Sequence, residues 1–171
     1  MTMPATLPAT ISEGATGATV RWLQYLLVRR TLSYTQIDGI FGPVTKTAVE
    51  EFQHDDHLVV DGIVGRATWT ALGGEHAEPP TLAEGSRGSV VEKLQIALNE
   101  GRGSFAPSSN PVLATDGIFG PQTAIAVKGA QSLGAIAGDG IVGLQTWALP
   151  VHAAGQVLAD LCGVRAPGST F

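Results

Sequence analysis

Cysteine and charged residues are scarce in this chain, and each scarcity excludes a class of protein. Cys162 is the only cysteine, so no intrachain disulfide can form, and we interpret it as a buried, unreactive thiol. Charged side chains make up 15% of the 171 residues, and the formal net charge is −5. Because nucleic acids and anionic membrane surfaces are bound by clustered lysine and arginine, we expect neither among the partners.

Long apolar runs are missing as well. No segment of the sequence is long and apolar enough to cross a bilayer. Residues 1–14 have neither the basic start nor the continuous apolar stretch of a signal peptide. We therefore expect a protein whose leader has been removed, that leaves the cell by another route, or that works inside a larger particle.

What the chain does contain is one series of residues that occurs twice. Residues 38–69 recur as residues 116–147 at a constant spacing of 78, and residues 14–27 recur as residues 85–98 at a spacing of 71. The second copy therefore carries seven extra residues ahead of its Asp-Gly turn. A repeat of fixed period predicts a modular architecture.

Apolar residues at helical spacing predict an all-α fold of two tandem three-helix domains and a C-terminal helix. That last helix is expected over about residues 152–162, with Val157, Leu158 and Leu161 on its buried face. The predicted segments are a flexible tail at 1–13, a first repeat at 14–74, a linker at 75–84, a second, degenerate repeat at 85–150, and the C-terminal helix and tail at 151–171.

Each repeat contains two Asp-Gly turns. In the first turn, Asp38 can bond to backbone two residues on, Gly39 can adopt a positive φ, and Pro43 presets the first turn of the following helix. Asp61 and Gly62 repeat this pattern ahead of the third helix.

The order of these motifs resembles the peptidoglycan-binding type 1 domain family. The matching series is Gly-x-x-Gly-x-x-Val-x-x-Leu-Gln, then Asp-Gly-x-Phe-Gly-x-x-Thr-x-x-Ala-Val-x-x-Phe-Gln, then Asp-Gly-x-Val-Gly-x-x-Thr-Trp, over residues 14–72 and 85–149. The resemblance implies a small three-helix fold that attaches proteins to the bacterial cell wall. It implies peptidoglycan as ligand, a protein partner with a hydrolase or particle function, and no cofactor.

Peptidoglycan offers hydroxyls, amides and short peptides with free carboxylates, so its site needs hydrogen-bond donors and some apolar floor. Backbone N–H groups of residues 38–42 lie ahead of a helix N-terminus, where a carboxylate is favoured. The side chains of Thr45 and Gln53 are expected to add hydrogen bonds, and Tyr34 an aromatic wall. The candidate ligand-binding residues are Tyr34, Asp38, Gly39, Phe41, Gly42, Thr45, Gln53, Asp116, Thr123 and Gln131.

The same residues also have a purely structural interpretation. Tight turns need Gly39 and Gly42 for their backbone conformation, and a domain this small needs Phe41 in its core. Asp38 is suited to capping its own turn. For Gln24 and Gln53, and so for their equivalents in the second copy, the sequence leaves a structural role and a ligand-binding role equally open.

The two copies are not equal. Phe52 of the first copy is replaced by Ala130 in the second, and losing a core phenyl costs roughly 3–5 kcal/mol unless other groups fill the space. We expect the C-terminal helix to pack on the second copy and cover this position, and we expect that copy to bind poorly or not at all.

Sequence motifs for catalysis are lacking, so we expect no enzyme. His54 and His57 share a helical face, but zinc needs a third protein ligand, and no metal site is expected. The main hypothesis is a wall-binding module at the cell wall, extracellular or periplasmic. The alternative is a structural or adaptor protein of a phage-like or secretion particle, cytoplasmic or particle-associated; a fragment of a wall-degrading enzyme is a third possibility.

Overall fold

The protein divides into two compact units of short helices. The structure, a computed structural model, describes residues 7–30, 36–74, 79–151 and 156–164. Described residues up to Gly74 form unit 1, and those from Pro79 form unit 2. Unit 1 contains α1 (Ala18–Arg30), α2 (Pro43–Asp55) and α3 (Arg66–Leu72), and unit 2 contains α4 (Ser89–Glu100), α5 (Pro121–Leu133), α6 (Leu144–Trp147) and α7 (Leu158–Leu161). The all-α prediction is confirmed, since extended pairings in these ranges are isolated bridges.

The first helix is the centre of unit 1, where α1 packs against both α2 and α3. Val20, Leu23 and Leu27, whose spacing predicted this helix, are all fully buried. Helix α2 begins at Pro43, as predicted, and buries Phe52. The apolar periodicity of the sequence therefore identifies the faces that form this core.

One hydrogen-bond network, which we call the glutamine clamp, holds all four Asp-Gly turns. A glutamine Nε2 donates to the Asp carboxylate, to the carbonyl oxygen of the following isoleucine and to a threonine hydroxyl, while its Oε1 accepts from the turn glycine N–H. The four clamps are Gln24–Asp38–Gly39–Ile40–Thr45, Gln53–Asp61–Gly62–Ile63–Thr68, Gln95–Asp116–Gly117–Ile118–Thr123 and Gln131–Asp139–Gly140–Ile141–Thr146.

The clamps depend on left-handed glycine and buried glutamine. The turn glycines have φ between 68° and 79°, which L side chains rarely adopt. Each glutamine is 1% exposed, so its amide must find protein partners. Each repeat is therefore built from two half-repeats, and each half-repeat consists of a helix that carries a clamp glutamine, a turn and the start of the next helix.

The segments predicted as tail and linker belong to the units in part. Ile11 pairs with Val64 through backbone bonds of 3.3 and 2.9 Å, and the Nε1 of Trp69 donates to the carbonyl oxygen of Ala9 at 3.1 Å. The same arrangement recurs in unit 2 between Leu82 and Val142 and between Trp147 and Pro80. The predicted boundaries at residues 13 and 84 are therefore wrong, because each repeat includes a short segment before its first glycine.

The extra residues of the second repeat lie against its own helices. The Nδ2 of Asn110 donates to the carbonyl oxygen of Ala126 at 3.0 Å, and its side chain occupies the space that a side chain on Gly129 would need. Phe105 lies directly against Gly101. The insertion is therefore a packed part of unit 2, which a composition rich in Ser, Pro and Gly did not predict.

The space beside Ala130 is only partly filled. Ala130 is 1% exposed, and it lines a pocket of about 380 Å³ together with Phe105, Leu149 and Val151. The predicted cover by the C-terminal helix is therefore wrong at this position, since the surrounding groups come from the insertion and from the segment before that helix.

Pro150 explains why the third helix of unit 2 is a single turn. It stands where unit 1 has Leu72, the last residue of α3, and α6 already ends at Trp147. Proline disfavours helical conformation in the residue before it. Helix α7 packs against α4 and α6, as α3 packs against α1 in unit 1. The prediction that the C-terminal helix packs on the second repeat is confirmed.

The C-terminal helix is shorter than predicted. Residues 152–155, its expected start, lie outside the described residues, and Val157 precedes the helical turn. Val157 is buried as predicted, but Leu161 is half-buried, and Ala159 and Cys162 take buried positions instead.

Ala135 follows α5 in a left-handed conformation that favours glycine. Its φ is 54°, and the N–H of Ile136 bonds to the carbonyl oxygen of Gln131 at 3.0 Å, as in a Schellman helix end. Because the left-handed conformation costs a non-glycine residue about 1–2 kcal/mol, partly offset by the flexibility of glycine when unfolded, we expect Ala135→Gly to stabilise unit 2 by about 0.5–1 kcal/mol. Urea unfolding measures this change, and an unchanged or lower midpoint would contradict it.

Candidate functional site

The first repeat contains an open cleft beside its first Asp-Gly turn, at the start of α2. The cleft has a volume of about 390 Å³. Ile40 and Val44 supply exposed apolar surface, at 56% and 67% exposure, and Gln36 and Asp38 supply exposed polar groups. The complete lining is Gln24, Gln36, Asp38, Ile40, Gly42, Pro43, Val44 and Thr45.

Gln24 fixes the shape of this cleft from behind. Its Nε2 lies 2.8 Å from the Oδ1 of Asp38 and 3.1 Å from both the carbonyl oxygen of Ile40 and the hydroxyl of Thr45. Its Oε1 accepts the N–H of Gly39 at 2.8 Å. Both polar atoms of the amide are bonded within the turn. Gln24 therefore has a structural role, one of the two roles that the sequence left open for it.

The predicted site residues of the first turn differ in how they meet the cleft. Asp38 and Gly42 line it, although the Oδ1 of Asp38 is already bonded. Thr45 lines it but is 3% exposed, and its hydroxyl donates to the carbonyl oxygen of Ile40 at 3.3 Å. Gly39 and Phe41 are buried and do not line it. Tyr34 lies outside the described residues.

The other predicted residues lie at other turns. Gln53 holds the second turn of unit 1 and donates to the Oδ1 of Asp61 at 3.0 Å. Asp116 and Thr123 belong to the first clamp of unit 2, and Gln131 holds its second turn. Seven of the ten candidates therefore belong to four separate clamps rather than to one site, and Phe41 and Gly42 follow the first of these turns.

The backbone donors expected for a ligand are already engaged. The N–H groups of Gly39, Ile40, Phe41 and Gly42 donate to oxygens of unit 1. Pro43 has no N–H. Within the part of the chain that the structure describes, the N–H groups of Val44 and Thr45 have no acceptor. The open donors are therefore the N–H groups at the second and third helical positions of α2, which follow the residues 38–42 that were predicted to supply them.

Sequence reasoning missed three residues at or beside the cleft. Gln36 and Val44 line it, and Arg21 extends over Gly39, with Nε and Cζ 3.1 and 3.3 Å from the position a Cβ on that glycine would take. Their counterparts in the second repeat are Ala114, Gln122 and Glu92. Residues that the two repeats share could not identify these positions. The signal that could have found them is a difference between the two copies at positions beside a shared turn.

The turn hydrogen bonds keep the Asp carboxyls ionised. The bond from Gln24, followed by that from the N–H of Ile40, lowers the pKa of Asp38. The pKa of Asp61 and that of Asp116 are lowered first by the N–H two residues on and then by the clamp glutamine. A carboxyl that is ionised and bonded in this way is poorly suited to donate a proton in catalysis.

Other groups singled out by the sequence form no site in the described ranges. No group of three or more His, Cys, Asp and Glu side chains there could hold a metal ion, and the Nδ1 of His54 lies 3.2 Å from the Oδ1 of Asp55 on an exposed surface. Burial raises the pKa of Cys162 to about 12, which supports the unreactive interpretation. None of the helices described has both the length and the apolar character needed to cross a membrane.

Comparison with protein families gives two matches, one for each repeat. A family model described as "Putative peptidoglycan binding domain" matches residues 16–72 and 87–149. These ranges together cover more than half of the chain and coincide with the two sets of clamps.

Individual relatives are longer proteins. A zinc D-Ala-D-Ala carboxypeptidase from Streptomyces albus G is 44% identical over 69 residues, which are 39% of this chain and 27% of that protein. The N-acetylmuramoyl-L-alanine amidase CwlL from Bacillus licheniformis is 31% identical over 156 residues, 80% of this chain and 43% of the amidase. The chain thus spans less than half the length of either relative. Among solved structures, the SleB N-terminal domain is 36% identical over 37% of this chain and 88% of that domain, with a TM-score of 0.36.

Proposed function

Because the chain belongs to the peptidoglycan-binding domain family, we propose that it binds cell-wall peptidoglycan and that the cleft of the first repeat receives the stem peptide. The observation that carries this proposal is the pairing of two open backbone donors, on Val44 and Thr45, with exposed apolar surface in one cleft. In this proposal the clamp residues hold the shape of the site, and the exposed residues of the cleft contact the ligand.

The chemistry of the cleft suits a short acidic peptide. The N-terminus of the 13-residue helix α2 carries partial positive charge and favours a carboxylate. Ile40 and Val44 offer apolar surface to aliphatic side chains, and the exposed amide of Gln36 can bond to peptide groups. A stem peptide brings all three features, whereas the glycan strand brings no aliphatic side chains.

We assign the main binding role to the first repeat. The second repeat keeps the clamp but has Ala114 in place of Gln36 and Gln122 in place of Val44. The amide of Gln36 is thereby lost, and the exposed aliphatic side chain of Val44 is replaced by a polar one, while Ile118 remains exposed. Asn110 and the rest of the insertion add internal packing. Its proposed role is to support the fold, with weak binding or none.

We propose binding without cleavage, in the service of anchoring or targeting to the wall. The carboxylates of Asp38, Asp61 and Asp116 are bonded within their turns and have lowered pKa values. The sequence carries none of the common hydrolase motifs. The proposed location is the cell wall, outside the cytoplasm, where a partner protein would supply hydrolase or particle function. Release of soluble muropeptides from purified wall would contradict this assignment.

Val44→Glu tests the cleft directly. The position is exposed and lies in the first turn of α2, where an acidic residue favours the helix, so the variant should fold. Its carboxylate would occupy the cleft and repel those of a stem peptide. We expect binding to purified sacculi, measured by sedimentation, to fall at least about tenfold, or about 1.4 kcal/mol.

The matched control is Gln122→Glu, which places the same residue at the equivalent position of the second repeat. It should leave binding to sacculi within about twofold of wild type. Equal losses in the two variants, or full binding by Val44→Glu, would contradict the assignment of the cleft.

A further inference from the structure

A charged residue stands three positions before every clamp glutamine, and its side chain approaches the turn glycine. We call this the turn-cover position. Measured to the place where a Cβ on the glycine would lie, Arg21 comes within 3.1 Å, Glu50 within 3.0 Å and Lys128 within 2.9 Å, each with an outer part of its side chain. Glu92 approaches only with its own Cβ, at 3.8 Å. The four turn-cover residues are Arg21 at Gly39, Glu50 at Gly62, Glu92 at Gly117 and Lys128 at Gly140.

The sign of the charge at this position differs between the two equivalent first turns. In unit 1 the exposed Arg21 lies over the turn that forms the cleft, and its charge opposes that of Asp38. In unit 2 the equivalent residue is the exposed Glu92, although the carbonyl oxygen of Gly88, at 3.1 Å, is the group that comes nearest to the Cβ position of Gly117. Arg87 lowers the pKa of Asp116 there, and the turn-cover residue is acidic in unit 2 where it is basic in unit 1.

We propose that Arg21 is a specificity-determining residue of the first repeat, selecting ligands that carry a free carboxylate, and that Glu92 excludes such ligands from the second repeat. This inference rests on the proposed function, which it deepens. The guanidinium lies over Gly39 and acts on Asp38, which lines the cleft. A second carboxylate of a stem peptide could therefore reach it while the first meets the open N–H groups of α2. Arginine suits this role because its planar fork matches a carboxylate.

The geometry favours a carboxylate over a neutral group for a physical reason. Arg21 is exposed and extends over a glycine, so a ligand carboxylate can come close enough to the guanidinium for a charge-assisted hydrogen bond. The attraction should weaken as salt rises, because exposed charges are screened within about 8–10 Å. A neutral amide in place of the ligand carboxylate would gain little from this charge.

The test titrates the full chain with a soluble stem tetrapeptide and with the same peptide after its carboxyls have been converted to amides, followed by NMR. We expect Arg21→Glu to weaken binding of the acid form at least about tenfold. Arg21→Lys, which keeps the charge, should stay within about threefold of wild type. The amidated peptide should bind weakly to all three proteins, with little change between them.

Glu92→Arg supplies the converse variant. It should add ligand-induced shifts at Gly117 and Ile118, the first turn of the second repeat, which the wild-type protein lacks. Two results would overturn this inference and leave the proposed function intact. In the first, the Arg21→Glu variant binds the acid form of the peptide as tightly as the wild-type protein does. In the second, the wild-type protein binds the amidated peptide as tightly as the acid form. If the wild-type chain bound neither the peptide nor sacculi, both the proposed function and this inference would be overturned.

Discussion

Replacing Gln24 with leucine should lower the free energy of unfolding of unit 1 by about 3–4 kcal/mol. The amide makes four hydrogen-bond contacts in the first turn, three of which share the two hydrogens of Nε2. A full hydrogen bond is worth roughly 1 kcal/mol net. Leucine has a similar size, so the loss comes from polar groups rather than from a cavity. The N–H of the buried Gly39 would be left without its acceptor, which costs a further share of the total.

The second repeat provides a matched variant for this prediction. Gln95→Leu removes the equivalent clamp, in which Nε2 lies 3.0 Å from Asp116 and Oε1 accepts the N–H of Gly117. Native-state hydrogen exchange followed by NMR reads each unit separately. Gln24→Leu should accelerate exchange in α1 and α2, and Gln95→Leu in α4 and α5. A loss below about 1 kcal/mol in both variants would contradict the view that the clamps hold the turns.

Removing residues 151–171 should destabilise unit 2 by about 5 kcal/mol or more. The deletion strips Val151, Val157, Leu158 and Cys162, each at most 5% exposed, and a buried aliphatic side chain contributes roughly 1.5–3 kcal/mol. It also removes α7 from its contacts with α4 and α6. Because Pro150 has shortened α6, unit 2 has no full third helix with which to replace that packing.

Leu158→Ala is the milder variant, and it avoids removing the chain end. Leu158 is 0% exposed, so truncation should cost about 3–4 kcal/mol through lost contacts and a cavity. Calorimetry of the full chain and the two variants measures the change. A melting curve of the deletion variant that matched the wild type would show that α7 does not support the second repeat.

Much of the fold could be predicted because the sequence states it twice. Matching Asp38-Gly39 with Asp116-Gly117 located the turns and, with apolar spacing, the helices that follow them. The same comparison found the loss of Phe52, since one copy served as the reference for the other. The family resemblance rested on these repeated residues and agrees with the match over residues 16–72 and 87–149.

The cleft was harder to predict, because the repeated residues mostly build the turns. Gln53 and Thr45 recur since the clamp needs them, and each is at most 3% exposed. The residues that we propose to meet a ligand, such as Val44 and Arg21, lie beside the clamp, and no turn constrains their identity. Segments such as residues 9–11 and the insertion pack through contacts distant in sequence, for example Trp69 with Ala9, which local patterns do not reveal.

The central claim is that the first repeat recognises peptide in the cell wall. Its most direct test is sedimentation of the full chain with protein-free sacculi, beside sacculi stripped of their stem peptides by an amidase. We expect binding to the intact sacculi and loss of that binding after stripping. Equal binding to both would show that the glycan is recognised instead, and binding to neither would show that the fold serves another partner.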